Sequence, residues 1–282
     1  MDTTQHTKNA THHAIAGGGA ETTDERFERG LALLRTIGGE EHPAVLGSLA
    51  DIAPGLGRMT VAFAYGDVLA RPGLGLRGRQ IATVGALAAM GNAAPQLRFH
   101  IDGALNVGVS PAEIVEILIQ TAVYAGFPAA LNGIAAAREV FASRSDLAAD
   151  PVGTEPPAGD RYERGLAKLA EVDGHAADEV VASLRDIAPD LMRYIVEFAF
   201  GDIYARPGLD LKSRELAAVA MCTALGTAAP QLRVHLHGLL NVGGTREEAV
   251  EVITQMASYA GFPAALNGMT AARQVFAERA AH

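Results

Sequence analysis

Apolar residues recur at helical spacing along most of the chain, and no segment shows the alternation of apolar and polar positions that marks a strand. Phe27, Leu31, Leu34 and Ile37 fall on one face of a first predicted helix, and Gly38 ends it. Proline and glycine residues separate the apolar stretches that follow, as expected for short loops between helices. Helices are predicted in the first half over residues 27–37, 44–52, 54–70, 76–90, 95–108, 111–125 and 127–141. The pattern predicts an all-α fold.

The second half of the chain repeats the first at one constant offset and without a gap. His100 aligns with His235, and the segment 124–133 returns unchanged as 259–268. A repeat of this length corresponds to a whole domain, because solenoid units span only ~20–50 residues. We therefore expect a disordered N-terminal tail over 1–25, a first repeat over 26–144, a proline-containing linker over 145–160 and a second repeat over 161–280.

Composition narrows the class of protein further. Hydrophobic residues make up 49% of the 282-residue chain, so each repeat can bury a core. The net charge of −9 argues against binding to the phosphate backbone of nucleic acids. The start of the chain lacks the features of a signal peptide, and no apolar run approaches the ~20 residues that span a bilayer. The single cysteine, Cys222, excludes an intrachain disulfide, and we expect a cytoplasmic protein.

Recurring polar residues concentrate in the predicted fourth and fifth helices. Gln96 and His100 are four residues apart and share one helix face, and Gln231 and His235 repeat this arrangement. A histidine titrates near neutral pH and can transfer protons, so His100 and His235 are candidate catalytic residues. A buried histidine that only hydrogen-bonds a neighbour is an alternative of equal weight.

The clearest difference between the repeats lies one helix earlier, where Arg79-Gln80 of the first copy becomes Arg214-Glu215 in the second. If the two helices pack antiparallel, Glu215 could approach His235 and form an acid–base couple with it. Gln80 cannot exchange protons, so the first copy lacks this couple. A salt bridge from Glu215 to an exposed arginine or lysine is the alternative.

Other recurring side chains could contact a substrate. Arg98 and Arg233 could each bind a substrate carboxylate through two hydrogen bonds, although an ordinary surface role fits both equally well. Cys222 replaces Leu87 in an apolar stretch and is expected to fill the core. No metal site is predicted, because the histidines stand without a matched cysteine or carboxylate at ligand spacing. The candidate substrate-binding residues are Arg233, Arg98, Gln231, Gln96, Arg214, Tyr259 and Tyr124.

The segments 79–141 and 214–276 resemble the carboxymuconolactone decarboxylase family, a branch of the alkyl hydroperoxidase D-like superfamily. The resemblance rests on Gln-Leu-Arg-x-His, Asn-Val-Gly and Tyr-Ala-Gly-Phe-Pro-Ala-Ala, which occur in both copies. It implies two tandem helical domains that form a pseudo-dimer, and a decarboxylase-like lyase that needs neither an organic cofactor nor a metal. The glutamate and histidine of the family pattern fall on Glu215 and His235, whereas the first copy keeps only His100.

The resemblance also bears on the reaction and on assembly. Peroxidase members of the superfamily carry Cys-x-x-Cys before the histidine, but those positions here hold Ala93 and Gln96, and then Ala228 and Gln231. A thiol peroxidase is therefore not expected. Family members often form hexameric rings of single-domain subunits, so three copies of this tandem chain could form an equivalent ring.

Two classes of function remain open. The first is a cofactor-independent enzyme that uses His235 and Glu215 for acid–base chemistry on a small cyclic, oxygenated substrate carrying a carboxylate or lactone. Within this class, decarboxylation fits as well as a tailoring reaction on a polyketide-type natural product, such as isomerisation, dehydration or ring opening. The second class is a non-catalytic module that binds a small ligand or acts as a scaffold.

Overall fold

A computed structural model describes residues 22–39, 44–147, 155–174, 182, 184 and 186–281, and over these ranges the chain contains no strand. The helices of the first repeat are α1 (Thr23–Gly38), α2 (Ala44–Gly47), α3 (Pro54–Met59), the π-helix π1 (Thr60–Leu69), α4 (Leu76–Met90), α5 (Ala94–Asn106) and α6 (Pro111–Ser143). Those of the second repeat are α7 (Arg161–Asp173), α8 (Pro189–Tyr194), the π-helix π2 (Ile195–Tyr204), α9 (Leu211–Leu225), α10 (Ala229–Asn241), α11 (Arg246–Gln255), a 3-10 turn (Met256–Ser258) and α12 (Phe262–Ala280). The predicted all-α fold is confirmed.

Helix α1 begins inside the segment predicted to be a disordered tail. The Thr22 hydroxyl accepts a hydrogen bond from the Glu25 N–H at 3.2 Å, and the Glu25 carboxylate accepts one from the Thr22 N–H at 2.8 Å. This capping box starts the helix at Thr23, so the predicted tail boundary at residue 25 is too late. The rest of the predicted tail, residues 1–21, and the middle of the predicted linker lie outside the described residues.

The predicted helix over 54–70 consists of two helices of different pitch. Helix α3 ends at Met59 and continues as π1, at whose end the Ala70 N–H donates to the carbonyl of Tyr65, five residues back, at 3.0 Å. Helix π2 ends in the same way at Ala205. An apolar pattern does not distinguish hydrogen bonds four residues back from those five residues back, so the sequence predicted only one helix.

Helix α6 joins the predicted sixth and seventh helices and bends at Gly126 (φ 81°, ψ 169°). It is the one helix of the described chain that is long and apolar enough to cross a membrane, but a buried core helix passes the same test. The bend divides it into two pieces that are each shorter than the ~20 residues of a membrane span. Both α4 and α5 pack against α6, so it is part of the helical core.

The two repeats pack against each other through α4 and α9, which are buried along most of their length. A Cβ atom placed on Gly85 of α4 would lie 3.4 Å from the Cβ of Ala217 in α9. Small side chains at the crossing let two helices approach closely. This central pair joins both repeats into one pseudo-dimer.

Two buried ion-pair clusters also join the repeats. Glu116 of α6 pairs with Arg214 at 2.9 Å and with Arg206 at 3.0 Å, and the Arg214 side chain is 0% exposed. In the matched cluster, Glu251 of α11 pairs with Arg79 at 2.8 Å. Buried charges need a partner and further hydrogen bonds, so each cluster ties one repeat to the other.

Candidate active site

Helices α9 and α10 form an antiparallel pair, joined by a short turn that begins at the left-handed residue Gly226 (φ 69°). The turn brings Glu215 of α9 against His235 of α10, with Oε2 2.9 Å from Nδ1. Gly238 leaves the space for this contact, because a Cβ atom there would lie 2.8 Å from Glu215 Oε2. Both side chains are buried. The acid and the histidine therefore form a buried hydrogen-bonded pair.

Two tyrosines complete the surroundings of this pair. The hydroxyl of Tyr204, at the end of π2, donates to Glu215 Oε1 at 2.8 Å. Tyr124, from α6 of the first repeat, shares a 2.6 Å hydrogen bond with the Tyr204 hydroxyl and packs edge-on against the His235 ring. His235 and Tyr204 therefore engage both carboxylate oxygens of Glu215. These four side chains are called the second site below.

The second site favours the charged form of His235. Burial alone would lower the pKa of His235, but the charge of Glu215 and its hydrogen bond outweigh burial and raise that pKa above its ordinary value. Because Glu215 engages Nδ1, the ring nitrogen left to meet a substrate is Nε2. No described residue hydrogen-bonds Nε2, and the His235 side chain keeps 11% of its exposure. In the protonated form that this environment favours, His235 offers an Nε2–H donor that no described residue engages.

The matched pair of the first repeat is neutral. Gln80 Oε1 lies 2.9 Å from His100 Nδ1, and the Tyr259 hydroxyl lies 3.3 Å from His100 Nε2. With Gln80 in this orientation, Nδ1 donates and Nε2 accepts, so the protein itself satisfies both ring nitrogens. Burial lowers the pKa of His100 to about 3. His100 is therefore uncharged near neutral pH. Gln80, His100 and Tyr259 are called the first site below.

Each site receives a tyrosine from the opposite repeat. Tyr124 and Tyr259 occupy matched positions and pack edge-on against the opposite histidine, with ring centroids 5.1 Å and 5.3 Å apart. The Tyr259 hydroxyl faces His100, whereas the Tyr124 hydroxyl bonds Tyr204, a residue that the first repeat replaces with Leu69. Neither site is complete in an isolated repeat.

Five of the predicted substrate-binding residues lie on α5, α9 and α10, and the two glutamines and Arg214 differ in their exposure. Gln96 and Gln231 are exposed one helical turn before the two histidines, at the outer edge of each site. Arg214 is fully buried between the repeats, where it bonds Glu116, the Gln120 side chain and a backbone carbonyl. The glutamines remain candidates for substrate contact, whereas the Arg214 guanidinium is committed to the interface.

Arg98 and Arg233 project away from the two sites. Residues two positions apart lie roughly 200° apart around a helix, so an arginine two residues before the histidine cannot share its face. The Arg98 side chain is 41% exposed and pairs with Glu139 at 3.3 Å, and Arg233 pairs in the same manner with Glu278. The structure therefore does not bring either guanidinium to a histidine.

Two residues of the second repeat were not among the predicted candidates. Tyr204 bonds Glu215, and Asp173, the last residue of α7, is 7% exposed, with no hydrogen-bond partner for its Oδ1 among the described residues. The first repeat has Leu69 and Gly38 at these positions. Tyr204 and Asp173 do not recur in the first repeat, so a comparison of shared residues does not find them. The replacement of an apolar residue by a polar one at the same position is the signal that could have identified them.

Two apolar clefts lie between helices of the two repeats. A cleft of about 580 Å³ opens between Phe63 of π1 and Phe262 of α12, and one of about 250 Å³ opens between Phe198 of π2 and Phe127 of α6. Neither cleft is lined by His100 or His235. Hydrogen bonding and charge, rather than cavity size, therefore mark the candidate active site.

Comparison with known proteins identifies the family. The pattern of the carboxymuconolactone decarboxylase family matches residues 54–139 and again residues 189–274, which together make up more than half of the chain. The chain therefore belongs to the carboxymuconolactone decarboxylase family, as the sequence resemblance predicted. Each match covers one repeat, and each includes that repeat's histidine and the glutamine or glutamate that bonds it.

Named relatives narrow the class of reaction. A 4-carboxymuconolactone decarboxylase of Acinetobacter baylyi is 37% identical over 117 residues, which cover 41% of this chain and 87% of the relative. A nitrosuccinic acid decarboxylase of Metarhizium robertsii is 30% identical over 112 residues, covering 38% of this chain and 76% of the relative. These relatives support a decarboxylase-like enzyme.

A solved structure agrees with the fold. A Burkholderia xenovorans protein, described as a candidate gamma-carboxymuconolactone decarboxylase subunit, superposes with a TM-score of 0.56 at 24% identity. The alignment covers 90% of this chain and 98% of that one, so both repeats take part in the match. At this identity the likeness shows the fold.

Proposed function

We propose that this protein is a decarboxylase that acts on a small oxygenated carboxylic acid at the second site, without an organic cofactor or a metal. The observation that carries the proposal is the His235–Glu215 pair, in which a buried carboxylate favours the charged imidazole while no described residue engages Nε2. A preformed cation in a water-poor site stabilises negative charge that develops during a reaction. Loss of CO2 from an acid creates such a charge.

The proposed reaction needs a proton donor and a place for an electron pair. The bond between the substrate carbon and its carboxylate breaks, CO2 leaves, and the electron pair moves onto a neighbouring oxygen-bearing group such as a conjugated carbonyl. The His235 Nε2–H donates a hydrogen bond to that oxygen and stabilises its charge. A proton then returns to the carbon. Glu215 keeps the imidazole oriented and charged throughout.

The names of the relatives suggest which acids to test. 4-Carboxymuconolactone and nitrosuccinic acid each carry a carboxyl group whose loss leaves an electron pair that a lactone carbonyl or a nitro group can accept. Gln231 is exposed one turn before His235, and we propose that it contacts such a ring or chain. We therefore propose a substrate of this chemical class.

We expect the purified protein to release CO2 from at least one of these two acids, measured as labelled CO2 together with loss of the substrate in an NMR spectrum. Heat-inactivated protein serves as the control. A product formed without CO2 would favour isomerisation, dehydration or ring opening instead. No change in either acid would contradict the proposal.

The first site supports a second role, the binding of a small neutral ligand without chemistry. His100 is neutral and its ring nitrogens are satisfied by Gln80 and Tyr259, so this site lacks a free proton donor. Gln80 Nε2 is buried and has no hydrogen-bond partner among the described residues. A ligand oxygen that accepts from this amide would compensate for its burial.

We also propose that three chains assemble into a ring equivalent to the hexamers that the family resemblance implies. Large exposed apolar side chains occur as matched pairs in the two repeats: Ile52 and Ile187, Leu56 and Leu191, Met59 and Tyr194, Phe127 and Phe262, and Leu131 and Leu266. Exposed apolar patches of this kind are typical of interaction surfaces. We expect light scattering to give three times the chain mass of 29.3 kDa. The mass of a single chain would contradict this assembly.

A further inference from the structure

Glu215 is not available to exchange a proton with a substrate. Its Oε2 accepts from His235 at 2.9 Å and its Oε1 accepts from Tyr204 at 2.8 Å, and the side chain is 0% exposed. Both carboxylate oxygens are committed to the protein. Glu215 therefore acts as a fixed counter-charge for His235, and a reaction that returns a proton to carbon needs another donor.

Asp173 is a second buried carboxyl group, on a helix that packs against α10. It ends α7 with 7% of its surface exposed, and its Oδ1 has no hydrogen-bond partner among the described residues. Its charge interacts with those of His235 and Glu215, so the three groups lie within electrostatic range of one another. A buried carboxyl oxygen without a partner is costly to maintain, and such groups concentrate at functional sites.

The matched position in the first repeat shows how Asp173 gained its space. Gly38 stands there, and a Cβ atom on it would lie 3.1 Å from the ring of Phe99. The second repeat has Val234 where the first has Phe99, directly before the histidine. The smaller valine leaves room for a carboxyl group that the phenylalanine ring would crowd. The first repeat therefore has no counterpart of Asp173.

We propose that Asp173 is the proton donor of the second site, an inference that rests on the proposed function. After the bond between the substrate carbon and its carboxylate breaks, the Asp173 carboxyl gives its proton to that carbon and becomes a carboxylate. The next turnover begins when Asp173 takes a proton from water. The titratable groups of the neighbouring helices whose charges interact with that of Asp173 are His235, Glu215 and Tyr124.

The protonation state of Asp173 suits this role. Burial raises the pKa of Asp173 to about 6, the charge of Glu215 adds to this, and the charge of His235 acts in the opposite direction. The donor form is therefore populated at mildly acidic pH and is lost as the pH rises above that value. We expect the rate of CO2 release to fall above about pH 6 in the wild type.

The test compares Asp173→Asn with Glu171→Gln, a matched change on the same helix at an exposed residue paired with Lys168. We expect Asp173→Asn to lower kcat for CO2 release by about 10²-fold or more at pH 6 and to remove the fall in rate above pH 6. The Asp173→Glu variant, which keeps a carboxyl group, should retain part of the wild-type rate. Glu171→Gln should keep the wild-type rate and pH profile. If Asp173→Asn kept the wild-type kcat and pH profile, the donor role would be overturned.

A measurement without substrate separates the donor role from a structural one. Folding raises the pKa of Asp173 from 3.8 to about 6, so its carboxylate form destabilises the folded protein at pH 8, and this cost disappears only below about pH 3, where Asp173 is protonated in both states. Asp173→Asn should therefore raise the melting temperature at pH 8 by several degrees and leave it almost unchanged near pH 3. A lower melting temperature at pH 8 would make Asp173 a structural residue and overturn the proposal. If the wild type releases no CO2, the proposed function fails first, whatever the melting curves show.

Discussion

Replacing Glu215 with glutamine is expected to lower kcat for CO2 release by about 10²–10³-fold, the range typical of a lost electrostatic contribution to the transition state. The substitution removes the negative charge that keeps the imidazole of His235 protonated. It keeps the size of the side chain and an oxygen that can accept from Nδ1. The first site demonstrates this arrangement, since Gln80 lies 2.9 Å from His100. The fold should therefore tolerate the change, and kcat can be measured directly by CO2 release.

Two comparisons make this result specific. Glu278→Gln removes a half-exposed carboxylate that pairs with Arg233 and His237 on the surface of the second repeat, and we expect wild-type activity from it. His100→Asn alters only the first site and should change kcat less than about tenfold. Equal losses in His100→Asn and Glu215→Gln would contradict the assignment of the chemistry to the second site.

Replacing Glu116 with alanine is expected to lower the free energy of unfolding by about 3–5 kcal/mol, which is the usual cost of leaving a buried charge unpaired. Glu116 has a 1% exposed side chain and pairs with Arg214, which is fully buried, and with Arg206. Without the carboxylate, the Arg214 guanidinium keeps its charge in a site from which water is excluded. Urea unfolding followed by circular dichroism measures the change.

The control for this prediction is Glu139→Ala, which removes the partner of Arg98 in an exposed pair. Exposed ion pairs contribute only ~0–1 kcal/mol, so this variant should unfold almost as the wild type does. If Glu116→Ala does not fold, Glu116→Gln keeps two hydrogen-bonding groups beside the arginines and should still lose stability. A Glu116→Ala protein within about 1 kcal/mol of the wild type would contradict the role assigned to the cluster.

Much of the fold follows from local signals in the sequence. The Ser110 to Glu113 capping box starts α6 as predicted, and its counterpart at Thr245 starts α11. Glycines in the left-handed conformation end α1 and α4 where the apolar pattern stops. The two π-helices were not predicted, because the apolar pattern carries no information about hydrogen-bond register. The bend at Gly126 was predicted as a break because Pro128 follows it.

The candidate site could be predicted only in part. Matched spacing between repeats pointed to His235, and the exchange of Gln80 for Glu215 pointed to the acid. Tyr204 and Asp173 were missed because they differ between the repeats, and their proximity to Glu215 depends on the packing of π2 and α7. Tyr124 belongs to the first repeat but contacts the second site, and this contact also depends on tertiary packing. Helical geometry alone could have placed Arg233 on the opposite face of α10.

The difference between the two sites has a simple physical origin. One carboxylate at position 215 raises the pKa of a buried histidine, whereas burial lowers that of His100, and Tyr204 hydrogen-bonds that carboxylate. The same backbone thus provides one site with a free N–H donor and one without. A tandem chain can change one site in this way while the other keeps the shared fold, which identical subunits of a ring cannot do.

The most direct test of these unequal sites is the NMR titration of the His235 and His100 ring protons in the wild type and in Glu215→Gln. In the wild type, we expect the pKa of His235 to lie above the ordinary value of about 6.5, and His100 to remain neutral down to pH 5. In Glu215→Gln, His235 should lose its titration above pH 5 and behave as His100 does. A His235 titration that is the same in both proteins would contradict the claim that Glu215 makes the second site the chemical one.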